Sequence, residues 1–316
     1  MLAFIARRLL WGVFILAGVI AITFIAVETA PGDPFAHLES PKMTKEALAN
    51  IKAKYGYGPD HTPVFRFRML VKGLWNRDLV SITQNRRVSD ILGDAIPNTL
   101  KLTIAALLLQ FAIGIGIGVV QALKQHSRMD GVLTFTSLFL YSMPGFWLSL
   151  MMALIFAVKL GWLPRYGIHN PGESGLWDFL RHLILPSVTL GIAAAASTAR
   201  YQRSAVLEVV RQDYVRTARA KGLSERAVVW KHIMKNALLP TITLFGLYLP
   251  FLFSGAIITE QIFGWPGMGS VTILAITQRD MPLVIVTTIL ATSMVVIGSL
   301  VADILYAVVD PRVRLG

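Results

Sequence analysis

The organisation of this chain follows from one stretch, residues 199–240, which reads ARYQRSAVLEVVRQDYVRTARAKGLSERAVVWKHIMKNALLP. It lies between two apolar runs that are long enough to cross a bilayer, yet residues 200–235 contain nine lysines and arginines against three acidic residues. A cation at the centre of a bilayer costs about 2.5–3.5 kcal/mol, so the stretch lies outside the hydrocarbon. Because short cytoplasmic loops carry an excess of Lys and Arg, we expect it on the cytoplasmic face.

The local pattern within this stretch predicts a helix, a break and a second helix. An apolar row with i, i+4 spacing predicts the first helix, and its members are Val206, Val210, Tyr214 and Ala218. Gly222 favours the left-handed conformation that ends a helix, and Ser224 is a good N-cap for the next one. We therefore expect a basic helical hairpin, joined at both ends to membrane helices, whose motion passes to both spans.

On charge alone, an ordinary loop that only sets the topology is the better explanation of the cations. The residue pattern favours a docking function. The segments RTARAKGLS (Arg216–Ser224) and KHIMKNALLP (Lys231–Pro240) resemble the coupling loop of ABC-importer permeases of the peptide/nickel type. In that family the loop seats in a cleft on a cytoplasmic ATPase. Arg216 and Thr217 stand where many permeases have Glu-Ala, a departure that is typical of the peptide branch.

The resemblance implies an ATPase-coupling site of twelve residues: Asp213, Tyr214, Arg216, Thr217, Ala218, Arg219, Ala220, Lys221, Gly222, Leu223, Ser224 and Glu225. The docking face is expected over 214–223, with Ala218 and Ala220 small enough to allow close approach. Gly222 is the expected turn, and residues 224–230 are expected to carry motion into the next span.

The composition indicates a polytopic membrane protein. Of 316 residues, 54% are hydrophobic and only 15% are charged, with a mean hydropathy of +0.60. A net charge of +12 also occurs in nucleic-acid-binding proteins, but here the cations cluster beside membrane spans, so we expect no nucleic-acid partner. The absence of cysteine excludes disulfides, thiolate metal sites and cysteine nucleophiles.

Six apolar runs predict six transmembrane helices, at about 9–27, 102–123, 131–158, 183–199, 236–259 and 281–302. Fifteen lysines and arginines fall in the pieces predicted to be cytoplasmic, whereas the short external loops hold three and a fourth lies at a boundary. This asymmetry predicts that both termini are cytoplasmic. We expect an all-α protein with two regions: 1–98, the first span with a long extracytoplasmic region, and 99–316, a five-helix core with the coupling loop 200–236.

Several positions outside the coupling loop are structural candidates. Pro144 and Gly145 interrupt the third run and predict a kink, and Pro240 and Pro250 are further kink or path candidates. Four charged residues are expected to be structural or to face a partner: Glu260, Asp303, Asp310 and Arg312.

In the polar region, residues 44–55 predict an amphipathic helix. The glycines of GIGIG (114–118) predict close helix packing rather than a dinucleotide site, and EQIFGWPGMG (260–269) predicts a tight capping or re-entrant loop.

Three other stretches resemble the first, B-type, permease of dipeptide and oligopeptide importers: the RRLL…PGDP opening, GLWNRDLVS (73–81) and IPNTLKL (96–102). The resemblance implies an ABC-importer type I permease fold in the inner membrane of a prokaryote. It implies four kinds of partner: a second homologous permease, two ABC ATPase subunits, an extracytoplasmic substrate-binding protein and membrane lipid.

The chain contains no P-loop, H-E-x-x-H or G-x-S-x-G motif. We therefore expect no enzyme activity and no cofactor in this chain, with ATP-Mg bound by the ATPase subunits.

Two other functional classes are open alternatives. An ion-coupled secondary transporter needs charged groups within its spans, whereas the charges here lie at span ends. A membrane enzyme needs a catalytic constellation, and no such motif is present. Within the importer class, di- and oligopeptides are the expected cargo. Nickel chelates and glutathione are alternatives, because related systems share these permease features.

Overall fold

The computed structural model describes residues 2–36, 44–59, 61–173, 175–248 and 256–309, and regular structure in this part of the chain is helical. The helices are α1 (Leu2–Thr29), α2 (Lys45–Lys54), α3 (Pro63–Asn76), α4 (Val88–Leu123), α5 (Arg128–Ser142), α6 (Gly145–Lys159), α7 (Leu176–Val210), α8 (Asp213–Ala220), α9 (the consecutive segments Glu225–Ala227, Val228–Ile233 and Met234–Ala237), α10 (Leu239–Tyr248), α11 (Ile257–Phe263), α12 (Met268–Thr277) and α13 (Met281–Val309).

Four of these helices are long and apolar enough to cross a membrane: Ala6–Thr29, Val88–Leu123, Leu176–Val210 and Met281–Val301. They coincide with the first, second, fourth and sixth predicted spans. The fourth predicted span, 183–199, was too short, because α7 continues for 35 residues through polar turns at both ends. These polar turns remain helical because the buried face of α7 packs against other helices. Hydropathy averaged over a stretch of sequence does not report such packing, so the prediction ended too early.

The third predicted span is a bent pair. α5 and α6 meet at an angle of 104° across the break at Met143 and Pro144, which confirms the predicted interruption. Met143 is extended because a residue before proline is driven out of the helical region. The fifth predicted span, 236–259, is described only in part, since residues 249–255 lie outside the described ranges and α10 is 10 residues long.

The chain divides into two compact units, each of which has its own core. The first comprises Met1–Thr99, Phe253–Ile257 and Pro266–Val296, and the second comprises Leu100–Leu252, Ile258–Trp265 and Ile297–Gly316. In the first unit, Asp280 caps the start of α13 and accepts hydrogen bonds from the hydroxyl and the backbone N–H of Thr83. The predicted helix over 44–55 is confirmed as α2, with Thr44 as its N-cap, whereas α3 and α12 were not predicted.

Close helix contacts in the second unit depend on glycine. A Cβ built on Gly114 would lie 2.6 Å from the Cβ of Thr198, and one on Gly118 would lie 2.5 Å from the carbonyl oxygen of Ala199. Gly191 of α7 makes the reciprocal approach, with the carbonyl of Ala106 at 2.8 Å from its ideal Cβ. The packing function predicted for GIGIG is therefore confirmed for its outer two glycines. A Cβ on Gly116 would meet nothing within 4 Å.

Candidate functional site

The predicted coupling segment begins where α7 ends. Arg211 caps α7 and Gln212 is extended (φ −73°, ψ 146°), so α8 starts afresh at Asp213. The predicted single apolar row from Val206 to Ala218 was therefore wrong, because a break divides it between two helices. We refer to residues 211–238 as the connector.

The turn of the connector follows the predicted pattern. α8 ends at Ala220, and Gly222 has a φ of +75°, the left-handed conformation that a residue without a Cβ adopts most easily. The Oγ atom of Ser224 then accepts a hydrogen bond from the N–H of Ala227 at 3.4 Å, so Ser224 caps α9 as predicted. Arg219 spans the turn and donates two hydrogen bonds to the carboxylate of Glu225, at 2.8 and 3.3 Å.

An apolar cluster lies beneath the connector. Its buried members come from α4, α7, α8 and α9, and they are Ala122, Ala205, Val206, Val215, Ala218, Val228, Ile233, Met234 and Ala237. Ala218 is 4% exposed within this cluster. Its assignment to the docking face was wrong, because the helical phase of α8 turns positions 215 and 218 inwards. Ala220 is exposed, as the docking assignment requires.

The outward face of the connector is basic and partly apolar. Tyr214, Leu223 and Trp230 are 42%, 43% and 65% exposed. Around them are exposed cations at positions 211, 216, 219, 221, 226, 231 and 235, with exposed carboxylates only at 213 and 225. Thr217, Lys221 and Ser224 are also exposed. Such a face offers hydrogen-bond donors and apolar contacts to an acidic cleft.

The connector is tied to neighbouring helices by polar contacts that sequence reasoning missed. The fully buried Gln202 of α7 donates through Nε2 to the carbonyl of Ala237 (3.2 Å) and accepts from Thr241 Oγ1 (2.6 Å). These bonds bridge α7 to the break at Leu238, just before Pro240. The adjacent Arg203 pairs with Asp130 of α5 at 3.0 Å. The signal that could have found Gln202 is its amide within a face of small apolar residues.

The remaining candidates lie at scattered positions. Gly145 begins α6 directly after the bend at Pro144. Pro240 is the second residue of α10, where a missing N–H is tolerated. Glu260 of α11 is fully buried, and Asp303 lies within α13. Pro250, Asp310 and Arg312 lie outside the described residues. The turn between α11 and α12 spans four residues with Gly264 at a φ of +57°, which confirms the short loop.

In the described part of the chain, no group of three or more His, Cys, Asp or Glu side chains is arranged to hold a metal ion. The connector combines an exposed basic rim, a glycine turn, and an apolar base that joins it to the helices on either side. Its twelve predicted residues lie along one short piece of chain, so their proximity follows from the sequence, whereas their division into inward and outward faces does not.

The sequence of this chain is similar to those of known transport proteins. Residues 114–315 match the family model described as binding-protein-dependent transport system inner membrane component. The chain is 39% identical to the oligopeptide transport system permease protein AppB of Bacillus subtilis, covering 99% of this chain and 100% of AppB. It is 36% identical to the dipeptide transport system permease protein DppB of Alkalihalophilus pseudofirmus, with 99% and 100% covered. It is 34% identical to the glutathione transport system permease protein GsiC of Salmonella typhi, with 99% of each covered.

Solved structures agree on the fold. An inward-facing crystal form of the MetNI methionine ABC transporter superposes with a TM-score of 0.54 at 18% identity, covering 70% of this chain and 96% of that one. A second crystal form gives a TM-score of 0.53 at 19% identity, covering 71% and 97%. At this identity the likeness concerns the fold alone.

Proposed function

Because the chain belongs to the binding-protein-dependent transport system inner membrane components, the permease family of ABC importers, we propose that it forms half of the path of an ATP-driven importer. In this proposal the connector docks on an ATPase subunit and transmits its motion to the membrane helices. The observation that carries the proposal is the connector itself, an exposed basic face with a buried apolar base. That base includes residues of α7, Gln202 of α7 bonds Ala237 and Thr241 of α10, and Arg203 of α7 pairs with Asp130 of α5.

We propose di- and oligopeptides as the cargo. Relatives named as oligopeptide and dipeptide permeases are similar over almost the whole chain, at 39% and 36% identity. Glutathione is the nearest alternative, since a glutathione permease is 34% identical over the same length, and nickel chelates are a further alternative within the same machinery. An ion-coupled secondary transporter is not favoured, because family membership and the connector both indicate an external ATPase.

We propose six spans with both termini in the cytoplasm. The positive-inside bias of the short loops supports this orientation. The bent pair α5–α6 would be the third span, and α10 with the residues that follow it would be the fifth. The division into 1–98 and 99–316, with the coupling loop at 200–236, is part of the same proposal.

The proposed partners are a second homologous permease, two ABC ATPase subunits and an extracytoplasmic substrate-binding protein. The family name itself includes a binding protein and supports that partner. ATP-Mg would bind to the ATPase subunits and not to this chain, which contains no P-loop sequence. In this scheme the chain is not an enzyme. Together with the second permease it would open the path between them alternately to the two sides of the membrane.

The test is uptake of a labelled dipeptide by proteoliposomes that contain this chain with its partner subunits. We expect uptake with intact ATPase subunits and none with subunits that bind but do not hydrolyse ATP. In the same preparation, Ala220→Cys should crosslink to a cysteine in the cleft of the ATPase. Uptake driven by an ion gradient with the inactive ATPase would overturn the proposal, and failure to crosslink anywhere along 214–226 would refute the docking site.

A further inference from the structure

The helix α3 (Pro63–Asn76, PVFRFRMLVKGLWN) was missed in the sequence and has no function in the scheme above. Thr62 caps its start through a hydrogen bond from the N–H of Phe65, and its C-cap, Arg77, adopts a φ of +58°. The helix contains three cations and no acidic residue. Leu70 and Gly73 are buried, whereas most of the opposite face is exposed.

α3 is held against the outer end of the first span. The guanidinium of Arg66 forms a salt bridge with Glu28, the last charged residue of α1, and Nε donates to Glu28 Oε2 at 3.1 Å. Arg66 also lies over the ring of Tyr57, 4.5 Å from its centroid. Burial, and next the Glu28 carboxylate, raise the pKa of the Tyr57 phenol to about 12.

The apolar side of α3 contacts the spans at the depth of the bilayer. Phe67 packs edge-on against Phe24 of α1, with ring centroids 5.2 Å apart. Phe24 lies five residues before the end of the span at Thr29, which is about 7 Å along the helix. Leu70 is buried in the same cluster as Ile285, four residues or about 6 Å into α13. Counted from the ends of these spans, both contacts lie in the outer half of a hydrocarbon layer whose half-thickness is about 15 Å, so we infer that α3 lies at the hydrocarbon–headgroup boundary.

The free face of α3 combines apolar and cationic side chains. Val64, Val71 and Trp75 are 63%, 46% and 89% exposed, and they share one face through i, i+7 and i+11 spacing. Arg68 and Lys72 are exposed on that face, and neither forms an ion pair with any acidic side chain in the described ranges. Together with Phe67, Val71 and Trp75, they line a shallow groove of about 430 Å³.

We propose that α3 is an interfacial helix whose free face inserts into the outer leaflet, with Arg68 and Lys72 binding the phosphates of anionic phospholipids. Val71 and Trp75 reach the acyl boundary, where an indole ring is favoured because it is amphipathic. The inference rests on the proposed orientation, which puts residues 28–98 on the extracytoplasmic side.

Two observations favour lipid over a protein partner as the occupant. The buried side of α3 contacts α1 and α13 within the depth of the hydrocarbon, so its other side lies at lipid level wherever no second subunit covers it. The free face also lacks any carboxylate, and its two unpaired cations complement a layer of phosphates. An extracytoplasmic binding protein would approach from the water above this level.

The depth of α3 can be measured directly because the chain has no cysteine. Spin labels would be attached to Val71→Cys and Trp75→Cys in the complex with cysteine-free partner subunits, in phosphatidylcholine nanodiscs containing phosphatidylglycerol. Glu46→Cys on α2, exposed in the same polar region, is the matched control. We expect the labels at 71 and 75 to be relaxed by oxygen and the label at 46 by a water-soluble nickel chelate.

Equal access of the nickel chelate to all three labels would overturn the proposal. Protection of positions 71 and 75 from both reagents would overturn it too, because a protein would then cover the face. Protection that arises only when the binding protein is added would identify that protein as the occupant instead.

The choice of lipid is tested by the double variant Arg68→Gln/Lys72→Gln. Two cations near an anionic surface contribute about 1 kcal/mol each, so native mass spectrometry should show about thirtyfold weaker retention of phosphatidylglycerol relative to phosphatidylcholine. The matched control Lys45→Gln/Arg87→Gln removes two exposed cations away from α3 and should retain the lipid. Equal retention by the two double variants would refute the lipid site.

ATP-dependent uptake measured in proteoliposomes of the same lipids separates this inference from the proposed function. Normal uptake together with water-exposed labels at 71 and 75 would refute the interfacial helix alone. Labels in lipid without any ATP-dependent uptake would refute the transport proposal alone.

Discussion

Two polar regions of this chain use their positive charge in different ways. Residues 28–98 contain ten lysines and arginines against eight acidic residues, and the connector contains seven against two. In the first region, Arg66 pairs with Glu28 and Lys52 pairs with Asp33, and both pairs are partly or largely shielded from solvent, whereas the pair of Arg86 with Asp94 is exposed. In the connector, the two ion pairs involve side chains that remain largely exposed.

The difference shows that a count of cations does not distinguish cations held in structural ion pairs from cations on an exposed face. What distinguishes them is whether each cation has an acidic neighbour and how deeply the pair is buried. The side chains of Arg66 and Glu28 are 12% and 18% exposed, whereas those of Arg216 and Asp213 are 73% and 96% exposed. Substitutions in the two regions should therefore affect different properties.

The largest effect on stability is expected for Arg66→Met. Removing one partner of this largely buried ion pair leaves the Glu28 carboxylate without compensation, and the cost approaches the roughly 3–5 kcal/mol of a fully buried pair. The expected result is a marked loss of folded protein, measured by thermal unfolding in detergent. The double variant Glu28→Gln/Arg66→Met should recover most of the loss, because it leaves no uncompensated charge. An unchanged unfolding temperature in Arg66→Met would show that the Arg66–Glu28 pair does not stabilise the fold.

A smaller effect, confined to the connector, is expected for Gly222→Val. A β-branched residue at a φ of +75° is strained by about 1–3 kcal/mol, although a Cβ there meets no other atom within 4 Å. We expect normal membrane insertion with ATP hydrolysis that no longer drives uptake. Gly222→Asn is the matched control, because asparagine tolerates the left-handed region. Equal uptake by the valine and asparagine variants would show that the turn conformation is not needed for coupling.

The two faces of the connector should differ in chemical access. Ala218→Cys places the thiol in the buried cluster and Ala220→Cys places it on the exposed face. We expect a water-soluble maleimide to label position 220 readily and position 218 only slowly in the permease without its ATPase. Addition of the ATPase should protect position 220. Equal labelling rates at both positions would contradict the division into faces.

The smallest effect on stability is expected for Arg216→Gln. Its ion pair with Asp213 is 3.6 Å long and exposed, and such pairs contribute at most about 0.5 kcal/mol. The unfolding temperature should hardly change, whereas the affinity for the ATPase, measured by titration into nanodiscs, should fall. A loss of stability similar to that of Arg66→Met would show that the exposed pair in the connector stabilises the fold as much as the Arg66–Glu28 pair does.

Sequence reasoning succeeded where a property depends on neighbouring residues. Thr44, Ser224 and Gly222 act at helix ends as predicted, because capping and left-handed turns need only the local chain. Pro144 bends the chain as predicted for the same reason. The inward turn of Ala218 and the break at Gln212 were missed, because both depend on how α8 packs against distant residues such as Val206 and Ala237.

Composition and order along the chain were enough to establish that this is a helical membrane protein, with a basic connector between two apolar runs and with the motifs of a permease family. Hydropathy and short-range conformational preference are properties of a few consecutive residues, so they can be read directly. Only the structure revealed the salt bridge between Arg66 and Glu28, the hydrogen bond from Gln202 to the carbonyl of Ala237, and the exposed face of α3. Each joins residues at least 35 positions apart or depends on which side of a helix is covered, and only the packed chain brings such groups together.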